Sequence, residues 1–164
     1  MWAALCLALL FTTSAASSNC SVVISGAKYD FDGVFLGGAS LQWSGLVESV
    51  DYEVSLAVNV CGQAEMPGVA CPAGSGVCAF VPDAGETDNA GFFANATFSA
   101  MMTGSKGALV AMKGQAFPAM MSQVFLLCNP EVAVATVVRV DVEPFDDHAV
   151  FSVSVEAAAA CPAN

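Results

Sequence analysis

The residues that could carry catalysis or hold a metal are few and scattered in this 164-residue chain. A zinc site needs Cys and His at short spacing, yet six residues separate the nearest cysteines, Cys71 and Cys78, and His148 is the only histidine. A serine hydrolase could use His148 as its base, oriented by Asp146 or Asp147, but no G-x-S-x-G motif surrounds Ser75 or any other serine. The sequence therefore predicts no metal site and no catalytic constellation.

Acidic side chains are the commonest chemical groups left, with 15 carboxylates against 4 basic residues and a net charge of -11. Asp83, Glu86 and Asp88 surround Gly85, but their spacing differs from that of a calcium loop, so a solvated turn is favoured. Glycoside hydrolysis by a pair of carboxylates remains an open alternative, but the signal is weak, because among 15 acidic residues some pair always has a suggestive spacing.

The net negative charge excludes nucleic acid as a partner and disfavours binding to anionic membranes. No cofactor is predicted.

Six of the seven cysteines lie beyond an apolar leader and are spread along the remaining chain. They are Cys20, Cys61, Cys71, Cys78, Cys128 and Cys161. In an exported chain, six thiols pair far more often than they bind metal. Six cysteines allow fifteen pairings, and the sequence alone does not choose between them.

The leader predicts export. An apolar run over 2–11 is followed by Thr, Ser and Ala over 12–18, which suits a signal peptide of residues 1–18 that removes Cys6. The run has about half the roughly 20 apolar residues of a membrane anchor, and no later segment is long enough. We expect no transmembrane anchor, and a secreted protein or one of the secretory-pathway lumen, meaning endoplasmic reticulum, Golgi, lysosome or vacuole.

The mature chain carries two acceptor motifs for N-glycosylation. Asn95-Ala96-Thr97 has an ordinary middle residue. Asn19-Cys20-Ser21 is poorer, because its cysteine is expected to be bridged and the motif borders the cleavage point. If Asn95 is glycosylated, it marks an exposed strand edge or turn.

Alternation of apolar and polar residues predicts β-strands that bury one face. It is clearest over 52–60, 132–142 and 151–156. Shorter strands are predicted at 22–24, 79–81, 92–98, 108–112 and 124–127, with Gly and Pro turn signals between them. No stretch competes well as an amphipathic helix. We predict one all-β domain over 19–164, a flattened β-barrel or a two-sheet antiparallel β-sandwich.

Six motifs, in order, resemble those of mannose 6-phosphate receptor homology (MRH) domains. They are Tyr29-Asp30-Phe31-Asp32, the strand ending in Val60-Cys61-Gly62, Gly76-Val77-Cys78, the apolar strand over 109–114, the strand over 124–130 that contains Cys128, and the closing strand over 151–162. The resemblance covers 20–162 and implies a disulfide-stapled fold of the mannose 6-phosphate receptor type. It also implies the pairing, which is Cys20 with Cys61, Cys71 with Cys78, and Cys128 with Cys161.

The resemblance implies that the usual sugar site is lost. Sugar-binding members place a glutamine, an arginine and a glutamate where this chain has Ala79, Pro130 and Ser154. Alanine and proline donate no side-chain hydrogen bond, and serine is too short to replace a glutamate, so sugar hydroxyls would stay unpaired at about 1–3 kcal/mol each. We expect little or no mannose 6-phosphate binding. Gln63 and Gln115 do not lie at the matching positions.

These observations favour a non-catalytic secreted or luminal MRH-like binding module. Its expected partner is a glycoprotein or another luminal protein. The alternative is a divergent glycan-binding lectin, or a protein that resembles cargo and sorting receptors of the secretory, lysosomal or autophagy pathway. A small secreted enzyme, such as a glycosidase, is the third hypothesis.

Overall fold

The computed structural model describes residues 20–101, 106–116, 119–144 and 148–163. These ranges are all β, with eleven strands, four short 3-10 turns and no α-helix. The expected signal peptide over 1–18, Cys6 and Asn19 lie outside the described residues, as do Asp146 and Asp147.

The strands follow one another along the whole described chain. They are β1 (Ser21–Ile24), β2 (Ala27–Asp30), β3 (Leu41–Val47), β4 (Tyr52–Val58), β5 (Ser75–Val81), β6 (Glu86–Phe92), β7 (Thr97–Ala100), β8 (Gly107–Ala116), β9 (Ala119–Cys128), β10 (Thr136–Pro144) and β11 (His148–Ala157). The 3-10 turns are Phe31–Gly33, Leu36–Gly38, Phe93–Asn95 and Ala158–Ala160.

Two large sheets and one hairpin make up the fold. The five-stranded sheet has the order β10-β11-β9-β8-β7, the four-stranded sheet is the meander β3-β4-β5-β6, and β1 pairs with β2. Among the described strands, the sheets do not close into a barrel, so the flattened-barrel alternative of the prediction is wrong. The two-sheet prediction is confirmed except at one pair, because β9 and β11 run parallel. The chain crosses over through β10 between them, as a parallel pair requires.

The core lies between the two large sheets, where apolar side chains leave water. From the four-stranded sheet, Val54, Leu56 and Val58 are buried, as the alternation over 52–60 predicts. From the five-stranded sheet, Val153 and Val155 are buried, which confirms the alternation over 151–156. All five belong to one continuous hydrophobic cluster.

The two sheets approach closely at Gly91 of β6. A Cβ atom at this position would lie 2.8 Å from the Cβ of Met112 and 3.2 Å from the Oγ of Ser122. The Ser122 hydroxyl itself donates to the carbonyl oxygen of Ala90 at 2.7 Å, which satisfies a fully buried polar group across the sheets. Any side chain larger than glycine would therefore push the sheets apart.

The prediction for 132–142 is wrong in its starting point and in part of its face. The strand begins at Thr136, and its register shifts between Val137, which faces Val155, and Arg139, which faces Ser154. Val138 is the extra residue of this β-bulge, and it is 48% exposed. The extra residue shifts the alternation of inward and outward side chains along the strand, so Val140 is buried although Val138 is not.

Other predicted boundaries also differ from the structure. The single strand predicted over 92–98 is interrupted by the turn Phe93–Asn95, so β6 ends and β7 begins inside it. Strands β2, β3 and β6 are absent from the prediction. Asp83 lies in an exposed turn as predicted, whereas Glu86 and Asp88 belong to β6.

Three disulfides staple the fold with the pairing that the resemblance implies. They join Cys20 to Cys61, Cys71 to Cys78, and Cys128 to Cys161. Disulfides persist in oxidising environments such as the cell exterior and the secretory pathway, and the domain belongs in such an environment. Within the described ranges, no helix is long and apolar enough to cross a membrane.

Candidate functional site

The three positions that match the family's sugar-binding residues do not meet in one pocket. Ala79 on β5 is 2% exposed and belongs to the core between the sheets. Ser154 on β11 points the other way, because its neighbours Val153 and Val155 are the buried ones. Pro130 lies in an exposed turn after β9. In this arrangement, a sugar could not contact Ala79 and Ser154 together.

The two glutamines near those positions serve internal contacts. The Gln63 amide donates to the carbonyl oxygens of Ala64 at 3.0 Å and Pro72 at 3.1 Å, and its oxygen accepts from the Gly74 amide at 2.6 Å. Gln115 donates to Asp88 Oδ1 at 3.0 Å. A concavity of about 480 Å³ borders the Gln63 loop, but the Gln63 amide is already engaged in holding that loop.

The outer face of the five-stranded sheet, which points away from the core, brings together residues that are far apart in sequence. In the register of the sheet, Phe125 of β9 lies beside Ser154 of β11, which lies beside Arg139 of β10. In the next row, Ser152 lies beside Asp141. The bulge at Val138 gives Arg139 and Asp141 their outward direction, since Val140 between them is buried.

A groove of about 330 Å³ runs over this outer face. It is lined by Met101, Phe125, Leu127, Arg139, Asp141, Ser152 and Ser154. Phe125 and Leu127 are half-buried and form an apolar wall, and the charged and hydroxyl side chains of β10 and β11 stand beside it. Apolar surface with a few convergent polar groups is the usual composition of a ligand site.

An exposed ion pair lies at one side of the groove. Arg139 Nε donates to Asp141 Oδ2 at 2.5 Å, and a terminal nitrogen of the same guanidinium lies 3.3 Å from Oδ1. The hydrogen bond from Arg139 to Asp141 and the charge of this carboxylate raise the pKa of Arg139 above its ordinary value. The guanidinium is charged at every physiological pH, and its N–H groups are directed at the Asp141 carboxylate.

Two hydroxyls of the groove have unused hydrogen-bonding capacity. Ser152 and Ser154 are half-buried, and neither hydroxyl has a hydrogen-bond partner among the described residues. The nearby carboxylate of Asp141 accepts the Arg139 hydrogen bonds. The two serine hydroxyls can donate to or accept from a molecule in the groove.

The structure also locates the remaining sequence candidates. Asn95 is exposed in the turn before β7, and Thr97 of the same motif donates from its Oγ1 to the carbonyl oxygen of Ala111 at 3.2 Å. His148 begins β11. The described part of the chain contains no group of three Cys, His, Asp or Glu side chains that could hold a metal ion.

The sequence does not predict the groove, because its walls come from β9, β11 and β10, whose order in the sheet differs from their order in the chain. The only signal in the sequence is the set of polar residues on the outer face of each alternating strand, and this signal does not show which strands are neighbours.

No model of a known protein family matches the chain, and no curated protein matches it in sequence. Membership of the MRH family therefore stays a proposal.

Proposed function

We propose that this protein is a non-catalytic, secreted or luminal binding module of the MRH-like type, and that the groove over the five-stranded sheet is its ligand site. The groove is the observation that carries the proposal. It combines the half-buried apolar wall of Phe125 and Leu127 with the hydroxyls of Ser152 and Ser154 and the exposed guanidinium of Arg139. The stapled two-sheet core supplies a rigid support for these side chains.

The disulfide pairing supports the MRH-like part of the proposal, since it equals the pairing expected for that family. The burial of Ala79 and the outward direction of Ser154 support the loss of the family's sugar pocket. Mannose 6-phosphate binding is therefore not expected. A predicted leader and the oxidising environment of the disulfides favour the secretory-pathway lumen or the cell exterior as the place of action.

The groove suits contact with another protein, such as a luminal glycoprotein. Aromatic and arginine side chains are the residues that most often dominate the energy of protein interfaces. Phe125 and Arg139 lie on the same outer face, one row of the sheet containing both with Ser154 between them. Removing the ring of Phe125 should therefore cost more affinity than any change at the edge of the sheet.

A comparison of two surface variants tests this function. The immobilised mature domain is exposed to luminal proteins from a secretory-pathway fraction, as wild type, Phe125→Ser and Val23→Ser. Val23 is the control because it is 67% exposed on β1, outside the groove. We expect Phe125→Ser to lower the retained partner at least tenfold, as a central interface residue does, and Val23→Ser to leave it unchanged. Equal retention by both variants would contradict the proposal.

A divergent lectin is the second candidate, and a specific arrangement favours it. An aromatic side chain beside free hydroxyls and an arginine–carboxylate pair offers an apolar surface for a sugar ring and hydrogen bonds for its hydroxyls. A glycan array separates the two candidates. Binding of a glycan that is lost in both Phe125→Ala and Asp141→Asn would favour the lectin. A role like that of a cargo or sorting receptor would follow from either type of ligand.

A further inference from the structure

Charge is unevenly distributed along this protein. Between Lys28 and Lys106 the sequence has no Lys, Arg or His, yet it holds nine of the 15 acidic residues. The nine are Asp30, Asp32, Glu48, Asp51, Glu53, Glu65, Asp83, Glu86 and Asp88. This stretch contains all four strands of the β3-β4-β5-β6 sheet. One side of the molecule is therefore acidic without any basic side chain from its own strands.

The meander gathers most of these acids at one end of the four-stranded sheet. Its strands are antiparallel, so the β3–β4 turn and the β5–β6 turn lie at the same end. We call this region the acidic end, defined by Glu48, Asp51, Glu53, Asp83 and Glu86. All five side chains are exposed. Within the described ranges, the single ion pair joins Arg139 to Asp141 on the other sheet, so these five carboxylates lack a cation.

Two apolar side chains on the outer face of the same sheet lie near the acidic end, Leu46 of β3 and Phe80 of β5, one on each side of β4. We call these two side chains the apolar strip. Leu46 lies opposite Glu53 in the β3–β4 pair and is 57% exposed. Phe80 of β5 is half-buried and lies opposite Ser55 of β4. Both point away from the core, because Val47 and the neighbouring Ala79 are buried.

The rest of this outer face is covered, which makes the strip distinct. Ala57 and Cys78 are fully buried in a second small cluster with Ala64, from the loop between β4 and β5. The Cys71–Cys78 disulfide holds that loop in place. The loop leaves Leu46 57% exposed beside the carboxylate of Glu53, and Phe80 half-buried beside Ser55. A partner that carries both cationic and apolar side chains complements this arrangement.

We propose that this strip and the acidic end together form a docking surface for a protein segment rich in Lys and Arg that also carries an apolar side chain. Charge complementarity selects this partner, since five exposed carboxylates attract a cationic segment over long range and repel anionic membranes and nucleic acids. Leu46 and Phe80 give such a segment an apolar contact. The surface belongs to the sheet opposite the groove, so one molecule could hold two partners at once.

The test uses the mature domain and a fluorescein-labelled peptide of alternating Lys and Ser with one central Trp. Two double variants each remove two negative charges, Glu53→Gln with Glu86→Gln at the acidic end, and Glu65→Gln with Glu131→Gln elsewhere. All four glutamates are exposed. We expect the first pair to weaken binding about fivefold, as two exposed ion pairs would, and the second pair to weaken it less than twofold. Physiological salt should weaken binding by the wild-type domain.

The apolar strip is tested separately with Leu46→Ser against Val23→Ser, both exposed positions. We expect Leu46→Ser to weaken peptide binding about threefold without changing its salt dependence, and Val23→Ser to have no effect. Equal weakening by the two charge variants would show that net charge alone attracts the peptide, and would overturn the proposal. Binding of Ca²⁺ alone that disappears with Glu53→Gln and Glu86→Gln would identify a cation site and would also overturn it. An NMR footprint of the peptide on the wild-type domain away from Leu46 and Phe80 would do the same.

Discussion

The Cys128–Cys161 bridge should supply a large and calculable part of the stability. It joins the end of β9 to the turn that follows β11, two strands that lie side by side in the five-stranded sheet. Both cysteines are half-buried, so replacing them with alanine removes little packing. The cost of removing the bridge should therefore come mainly from the freedom that the unfolded chain regains.

The size of this cost follows from the loop that the bridge closes. The cysteines are 33 residues apart, and the loop-entropy relation gives about 3.7 kcal/mol at 25 °C for such a loop. The Cys20–Cys61 bridge closes a loop with a separation of 41, and the same relation gives about 3.9 kcal/mol. The two bridges should thus contribute almost equally, although they belong to different parts of the fold.

Urea unfolding of the mature domain under non-reducing conditions measures both contributions. Trp43 is the only tryptophan after the predicted leader, and it is half-buried in β3, so its fluorescence reports unfolding. We expect Cys128→Ala with Cys161→Ala to lower the free energy of unfolding by about 3.7 kcal/mol. A loss below about 1.5 kcal/mol would refute the entropic reasoning.

Three further predictions concern packing, strand register and modification. Gly91→Ala should lower the free energy of unfolding by about 1–3 kcal/mol by overpacking the space between the sheets. Gly62→Ala is its control, because the added Cβ would lie 3.6 Å from its nearest neighbour, and equal losses in urea unfolding would contradict this packing. Deletion of Val138, which is 48% exposed, should leave a regular β10 and change the free energy of unfolding by less than about 1 kcal/mol, and a larger loss in urea unfolding would contradict the assignment of the bulge to this residue. When the protein is secreted from eukaryotic cells, Asn95→Gln should remove one N-glycan, and mass spectrometry should show that glycosidase treatment removes one glycan less from the variant than from the wild type. An equal loss of mass from both proteins on glycosidase treatment would refute modification at this site.

The sequence predicts strands well where one face is apolar and the other polar. The alternation of β4 and β11 correctly locates Val54 and Val153 in the core. It fails for β6, whose sequence Glu86–Phe92 contains Thr, Asp, Asn and Gly, residues that mostly favour turns. This strand forms because it pairs with β5 and packs against β8 across the core, which no local pattern records.

The bulge in β10 and the parallel pair β9–β11 explain why the sequence does not predict the candidate site. The extra residue at Val138 reverses which side chains of β10 face the core, and the alternation of apolar and polar residues in the sequence does not reveal this reversal. The parallel pairing of β9 with β11 brings Phe125 beside Ser154, and neighbours in a sheet depend on long-range packing. The sequence therefore predicts the class of fold and the stapling, whereas the groove requires the three-dimensional structure.

The most direct measurement of the central claim is site-specific photo-crosslinking in the secretory pathway. A photoreactive amino acid is placed at Phe125 in the groove, or at Pro130, the exposed position that matches the family's sugar site. We predict that the probe at position 125 joins the mature domain to a discrete partner and that the probe at position 130 gives only background. Crosslinking at position 130 with none at position 125 would contradict the assignment of the groove as the ligand site.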